Sequence, residues 1–227
     1  MPRLPADLAP GAEVEVGKAR VAWSPEGLLE ACDPHGCSRL KVPSGVAVRL
    51  IPTPAVQRLL RVDYIYVEFE NPVYVEEGDK VWFYAPIELN VSVSSLEAAR
   101  LSPVDVKFTL VGDIVDGVIC RYYKSPAGLN EAPGSPPEGS AVAVALVARG
   151  SGILRGMGVG ASFSRLYMDG EGVLYYSLQR LEIEGGVASL RPTTEPPRRG
   201  LRELSRPPRR RALLHQVLQP LTFEVGG

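Results

Sequence analysis

The stretch that decides the fold is VDYIYVEFENPVYVEEGDKVWFYAPIELNVSVS, residues 62–94. Its last part, IELNVSVS (87–94), alternates apolar and polar residues. Because successive side chains of a strand point to opposite faces, this alternation predicts a strand with one buried and one wet face. Earlier, two apolar runs flank the polar sequence EEGDK (76–80), in which Gly78 can adopt a positive φ. The stretch therefore predicts a β-meander.

The remainder of the chain consists of short apolar runs separated by turns rich in Pro and Gly. This spacing predicts an all-β fold of antiparallel β-sandwich units, Ig-like or jelly-roll-like, with few short helices. One short helix is predicted at Ser95–Arg100, with Ser94 or Ser95 as its N-cap. A second is predicted over 210–219, before Pro220.

Segment 125–140 contains four prolines and three glycines and is the best candidate for a linker. We therefore expect a β-rich N-terminal sandwich over 1–124 and a second β unit over 141–191. An Arg/Pro-rich strap that ends in the short C-terminal helix is expected over 192–227. No internal repeat is evident in the sequence.

Charge is distributed unevenly along the chain. The net charge is −1, but residues 191–211 hold eight arginines and two glutamates, so this segment carries +6 and the remainder −7. Only five of the 25 basic residues are lysines, and Cys and Met are few. This composition is typical of a thermophile or of a GC-rich genome.

Nothing in the sequence indicates export or membrane insertion. The N-terminus lacks the apolar run of a signal peptide. The longest apolar stretch, Ala141–Ala148, is shorter than the ~20 residues that a membrane helix needs. Three cysteines do not make a disulfide framework. A cytoplasmic protein without a transmembrane segment is expected.

Two segments carry a resemblance to a known family. One is ENPVYV (70–75), followed by GDK (78–80) and PIE (86–88), and the other is GVICRYYKS (117–125). Both resemble an archaeal family known only as a domain of unknown function, number four hundred and thirty-two in its series. The resemblance covers roughly residues 48–191 and implies an archaeal, β-rich, intracellular protein. It implies no activity and no catalytic residues.

Two motifs suggest cofactor or metal chemistry, and each has a simpler interpretation. GMGVGA (156–161) fits a dinucleotide-binding fingerprint, but no helix is predicted after it, so a Gly-rich strand or bulge is favoured. CDPHGC (32–37) places two thiols near His35, but a zinc site needs four ligands. A hairpin turn is favoured there, with a metal or a Cys32–Cys37 disulfide as the alternatives. We predict no cofactor and no metal.

Cys120 is the third cysteine and would be the candidate nucleophile, with His35 or His215 as its base. It alternates in phase with Val118 and Tyr122, however, in a strand position that suits a small buried hydrophobe. No catalytic residue is predicted, and an enzyme is not the favoured class.

Candidate binding residues fall into three groups. Arg121, Tyr123 and Lys124 end a strand and could contact an anion or an acidic partner, although plain surface residues are the favoured interpretation. The second group could form a stacking platform for sugars or bases, but burial beneath the N-terminal strands is favoured; its rings are Tyr64, Tyr66, Trp82 and Tyr84. The third group is the strap arginines Arg198, Arg199, Arg209, Arg210 and Arg211.

The strap is extended and cationic, which suits contact with phosphates. Packing against the acidic body of its own chain or of a second copy is favoured, and a solvated tail is the remaining alternative. The favoured function is a non-catalytic module for protein–protein interaction or self-association. The alternatives are a β-sandwich that binds a small ligand or carbohydrate, and non-specific nucleic-acid binding through the Arg-rich segment.

Overall fold

The structure is a computed structural model that describes residues 4–56, 62–112, 117–205 and 221–225. These residues form twenty β-strands and no helix, which confirms the all-β class. None of them belongs to a helix that could cross a membrane. The strands are β1 (Ala6–Leu8), β2 (Glu13–Val16), β3 (Ala19–Trp23), β4 (Leu28–Asp33), β5 (Gly36–Lys41), β6 (Val48–Pro54), β7 (Ile65–Val75), β8 (Lys80–Val93), β9 (Leu96–Leu101), β10 (Lys107–Val111), β11 (Val118–Ser125), β12 (Ala127–Leu129), β13 (Ser140–Arg149), β14 (Gly152–Val159), β15 (Leu166–Met168), β16 (Leu174–Tyr176), β17 (Gln179–Glu184), β18 (Val187–Pro192), β19 (Arg202–Ser205) and β20 (Leu221–Glu224).

The strands form one large sheet and two small ones. The large sheet has twelve strands along the path β1-β6-β8-β13-β16-β15-β19, with β9, β12, β17, β18 and β20 joined at its sides. The small sheets have the orders β10-β11-β7-β14 and β2-β3-β4-β5. Three neighbouring pairs are parallel, namely β11–β7, β13–β16 and β13–β17. The expectation of antiparallel sheets holds for β2-β3-β4-β5 and is corrected to mixed sheets for the other two.

Strand β8 is the centre of the large sheet. Its first half pairs with β13 from Lys80↔Leu146 to Pro86↔Ser140, and its second half pairs with β6. Because neighbours also cover its faces, β8 is buried on both sides, and Glu88 and Ser92 are buried as well. The wet face predicted for residues 87–94 is therefore largely absent.

The predicted meander is wrong in its pairing, although both of its strands exist. Turn 76–79 joins β7 to β8 and contains Gly78 with φ +93°, as predicted. Strand β7 pairs with β11 and β14, whereas β8 belongs to the large sheet, so the turn carries the chain from one sheet to another. Strands β11 and β14 occupy both edges of β7 over Ile65–Glu68, and β14 also pairs with Val73–Val75.

The helix predicted at Ser95–Arg100 is also wrong. Ser94 and Ser95 have φ values of +49° and +68°, which close a tight turn instead of capping a helix. The chain then reverses direction as β9, which pairs antiparallel with β8. The sheet edge thus overrides a weak helical preference. The helix predicted over 210–219 lies outside the described residues.

Strand β8, which comes earlier in the chain than segment 125–140, and strand β13, which follows the segment, lie in the same large sheet. Strand β13 follows the segment and pairs with β8, and β12 lies within the segment and also pairs with β8. The division of the chain into units around this segment stays a prediction.

The Gly-rich segment 156–161 is a strand with a bulge, as the favoured interpretation had it. Strand β14 pairs with β7, and its register shifts between Leu154 and Gly156. A Cβ on Gly156 would lie 2.5 Å from Tyr66 Oη, and one on Gly160 would lie 2.2 Å from Pro192 Cγ. Close packing therefore accounts for these glycines.

Candidate functional site

Three of the five lysines of the chain line one open cleft of about 420 Å³, here called the lysine cleft. Lys18 lies in the turn between β2 and β3, Lys107 begins β10, and Lys124 is near the end of β11. The cleft therefore lies where the N-terminal hairpin meets the β10–β11 pair. Its other polar lining residues are Asp105, Tyr122, Tyr123 and Glu138.

The antiparallel ladder of β10 and β11 aligns the basic side chains. Lys107 lies directly opposite Tyr122, and Lys124 follows two residues later on the same face of β11. Because side chains alternate along a strand, Lys107, Tyr122 and Lys124 share one face of this pair. Tyr123 lines the cleft from the opposite face of the strand.

Pro103 forms the wall of the cleft, where two chain segments approach closely. The Lys18 N–H donates a 2.7 Å hydrogen bond to the Pro103 carbonyl. A Cβ on Gly17 would lie 2.5 Å from that carbonyl oxygen, and a Cβ on Gly139 would lie 2.5 Å from Pro103 Cβ. Both glycines have positive φ values, of 56° and 78°. Only glycine permits these approaches without displacement of the wall.

The charges in the cleft are partly unbalanced. Lys18 Nζ lies 2.5 Å from Asp105 Oδ2, and the hydrogen bond from Lys18 lowers the pKa of the Asp105 carboxyl below its ordinary value. Lys107 and Lys124 are exposed, and neither forms an ion pair with any residue that the structure describes. These two ammonium groups are therefore available to an external anion.

Arg121 belongs to β11 beside the residues that line the cleft, but its own side chain does not line the cleft and is not exposed to solvent. The sequence left it at the surface, but its side chain is almost wholly buried. Its Nη2 donates a 2.5 Å hydrogen bond to Ser102 Oγ, which in turn donates to the Val104 carbonyl at 2.7 Å. Its Nη1 donates to Glu88. Burial lowers the pKa of Arg121 and raises that of Glu88, and each charge opposes the shift of the other.

A disulfide lies close to the same wall. Cys32 and Cys37 are directly opposite in the β4–β5 hairpin and are joined by a disulfide, with the predicted turn between them. Next to Cys32, Asp33 accepts a 2.9 Å hydrogen bond from the Ser102 N–H. The hairpin is therefore connected to the loop that carries Pro103. Because both sulfurs are in the disulfide, they offer no thiolate to a metal.

The four aromatic residues of the predicted platform do not form one exposed face. Tyr64 and Tyr84 are buried, and Tyr66 and Trp82 are half-buried. The Tyr64 ring lies 6.0 Å from that of Phe163. Tyr66 belongs to a small sheet, whereas Trp82 and Tyr84 belong to the large one. The burial that the sequence analysis favoured is found for Tyr64 and Tyr84, whereas Tyr66 and Trp82 remain partly exposed.

Arg198 of the strap packs on its own chain. Its Nη2 lies 2.5 Å from Asp169 Oδ2, and its guanidinium stacks over the Tyr175 ring at 4.6 Å from the centroid. Tyr175 Oη also donates to Asp169. Arg199 is exposed. Arg209, Arg210 and Arg211 lie outside the described residues.

Cys120 has the environment of a core residue. Its side chain is buried, and burial raises the pKa of its thiol to about 12. A thiol with this pKa is protonated at neutral pH and is therefore a poor nucleophile.

The predicted residues Tyr123 and Lys124 lie in the lysine cleft, whereas Lys18, Lys107, Asp105 and Glu138 were not predicted. Their positions in the sequence show no spacing motif. Only the small number of lysines in an arginine-rich chain distinguishes them in the sequence, and it does not predict that three of them meet.

Comparison with known proteins gives one match. A family model described as "Protein of unknown function (DUF432)" matches residues 11–225. No curated protein and no solved structure matches the chain.

Proposed function

The chain belongs to the family of unknown function DUF432. From its own residues, we propose that it is a non-catalytic binding module. Its lysine cleft receives an acidic segment of a partner protein. The observation that carries this proposal is the convergence of Lys18, Lys107 and Lys124, of which the last two have no ion-pair partner among the described residues.

The chemistry of the cleft suits an anionic segment that meets several separate ammonium groups. None of the described residues that line the cleft is an arginine, so the cleft offers point charges and no planar fork. Lysine offers a compact charge on a flexible stem, which adapts to carboxylates at varied positions. Tyr122 and Tyr123 add rings with polar tips, which are frequent in protein interfaces. An acidic peptide fits these groups.

The titratable groups around the cleft support binding and not catalysis. Asp105 is held as a carboxylate by Lys18, so it does not exchange protons near neutral pH. Glu88 is occupied by two buried arginine contacts. The high pKa of Cys120 argues against a thiolate nucleophile there.

We further propose that the sheets pack as a sandwich. Phe69 of β7 and Phe83 of β8 belong to different sheets, yet their ring centroids are only 5.4 Å apart. Val67 and Val81 are also fully buried beside them in the same core. Aromatic contact between inward faces is typical of packed sheets.

The binding proposal is tested with a rhodamine-labelled hexaglutamate peptide and fluorescence anisotropy. We expect saturable binding that weakens as salt rises, because exposed charges are screened. In the double variant Lys107→Gln/Lys124→Gln, the affinity should fall about tenfold or more, since each lost charge contact removes about 1 kcal/mol.

The chain provides its own matched control. Lys41→Gln/Lys80→Gln removes the only two lysines outside the cleft and changes the net charge by the same amount. Equal loss in both double variants would show a general charge effect and would refute the proposal. Competition by millimolar inorganic phosphate as effective as that by the peptide would indicate a small-anion site instead.

A further inference from the structure

Strands β10 and β11 form a ribbon that is buried on one face near Val111 and, on the other face, at Arg121, which lies opposite Phe108. On the first face, Val111 and Cys120 are buried. On the other face, Phe108, Leu110 and Ile119 are 41%, 48% and 57% exposed. Leu110 lies directly opposite Ile119, and Phe108 is two residues away on the same face. The three side chains therefore form one continuous apolar patch, here called the ribbon patch.

The outer edge of the ribbon carries no pairing strand in the part of the chain that the structure describes. Strand β10 pairs there with β11 alone, and β7 joins β11 only from Arg121 onward. Edge strands are usually protected by central charges, proline or a bulge. In β10 the only charged residue is Lys107, at its first position. Among the described residues, therefore, no strand pairs with this edge, and β20 approaches β10 without pairing with it.

We propose that a second copy of this chain occupies the edge. The two β10 strands pair antiparallel about a two-fold axis through Thr109. Phe108 then lies opposite Leu110 of the partner subunit, and Lys107 lies opposite Val111 of the partner subunit. Two ribbon patches become one apolar surface across the axis.

The sequence of β10 is self-complementary in this register, which favours a second copy over an unrelated partner. Each apolar exposed residue meets another apolar residue, and the two Lys107 side chains lie at opposite ends of the ladder. A net charge of −1 gives little repulsion between copies. The ladder is short, so the contact resembles the small interfaces of weak complexes, and dimerisation is expected at micromolar concentrations.

Sedimentation velocity of the full chain, from about 1 to about 200 µM, measures the dimer directly, since interfaces of this size dissociate in that range. Leu110→Glu should raise the dissociation constant about tenfold or more, because it places a charge in an apolar contact. Leu129→Glu is the matched control, with 41% exposure on β12, and should leave it unchanged. A monomer throughout the range, or equal effects of both variants, would overturn the proposal.

Cross-linking tests the register. Thr109→Cys is made in a Cys120→Ala background, because Cys120 lies opposite Thr109 within the same chain. Mild oxidation should give a covalent dimer, whereas Leu129→Cys in that background should not. A dimer that fails to cross-link at position 109 would refute the β10–β10 pairing.

Discussion

Arg121 and Glu88 form an ion pair inside the protein, with 3.2 Å between Arg121 Nη1 and Glu88 Oε1 and side-chain exposures of 2% and 9%. Glu88 also lies 3.3 Å from Arg100 Nη1. The pair joins β11 of a small sheet to β8 of the large one. Two charges removed from water lose their hydration and are stabilised by their mutual attraction. The loss of either charge is therefore expected to destabilise the fold strongly.

The losses in the free energy of unfolding from the two single substitutions of this ion pair should together exceed the loss from the double substitution. Arg121→Met should lower the free energy of unfolding by about 3 kcal/mol, because it leaves Glu88 buried with less compensation. Glu88→Met should have a similar effect. The double variant should lose clearly less than the sum in urea unfolding at neutral pH. Additive losses would mean that the two groups do not interact appreciably.

The loss in the free energy of unfolding that Arg121→Met causes should depend on pH. Burial raises the folded-state pKa of Glu88, and Arg121 opposes that rise, so removal of Arg121 raises the pKa further. A group with a raised folded pKa stabilises the fold fully below its unfolded pKa, and this contribution is lost as pH rises through the folded value. The variant should therefore be closest to wild type near pH 4, and the gap should widen toward pH 7. In a Glu88→Gln background, the gap should be independent of pH over that range.

Replacement of both Cys32 and Cys37 by Ser should cost stability through the unfolded chain. The disulfide spans a sequence separation of five, and a loop this short restricts the unfolded state by about 2 kcal/mol. Urea unfolding of the oxidised wild type and of the double Ser variant measures this difference. With dithiothreitol, the wild type should match the variant. A difference that persists in the reductant would point to the serine side chains as its cause.

Gly160→Ala should destabilise the fold by about 2 kcal/mol, because the added methyl would overlap Pro192 in a packed region. Gly170→Ala is the matched control, since a Cβ there meets no atom within 4 Å. It should be neutral or slightly stabilising, as the alanine restricts the unfolded chain. Thermal unfolding compares the two variants. A neutral Gly160→Ala would show that Pro192 moves aside freely.

Local patterns predicted strands well because alternation and turn residues are properties of a few neighbours. The hairpin of β3 and β4 follows from SPEG (24–27), and Gly78 takes the conformation that its turn needed. Partner choice is different. Whether β8 pairs with β7 or with β13 depends on which edges are already occupied, and no window of sequence contains that information.

In the candidate site, too, features set by neighbouring residues were predicted, and features set by long-range contacts were not. Lys124 was singled out because it ends a strand. Lys107 joins it through the β10–β11 ladder, and Lys18 joins it through the long-range contact of the β2–β3 turn with Pro103. Arg121 was expected at the surface because arginine rarely lacks water. Its burial depends on Glu88 and Ser102, which lie 33 and 19 residues away in the chain.

The position of Pro103 between Gly17 and Gly139 has an evolutionary consequence. A side chain at either glycine would displace the wall, so these three positions should vary together among members of the family. Lys107 and Lys124 form no ion pair with a described residue, so these two positions can change without displacing the wall. Family members should therefore share one cleft shape with different charges.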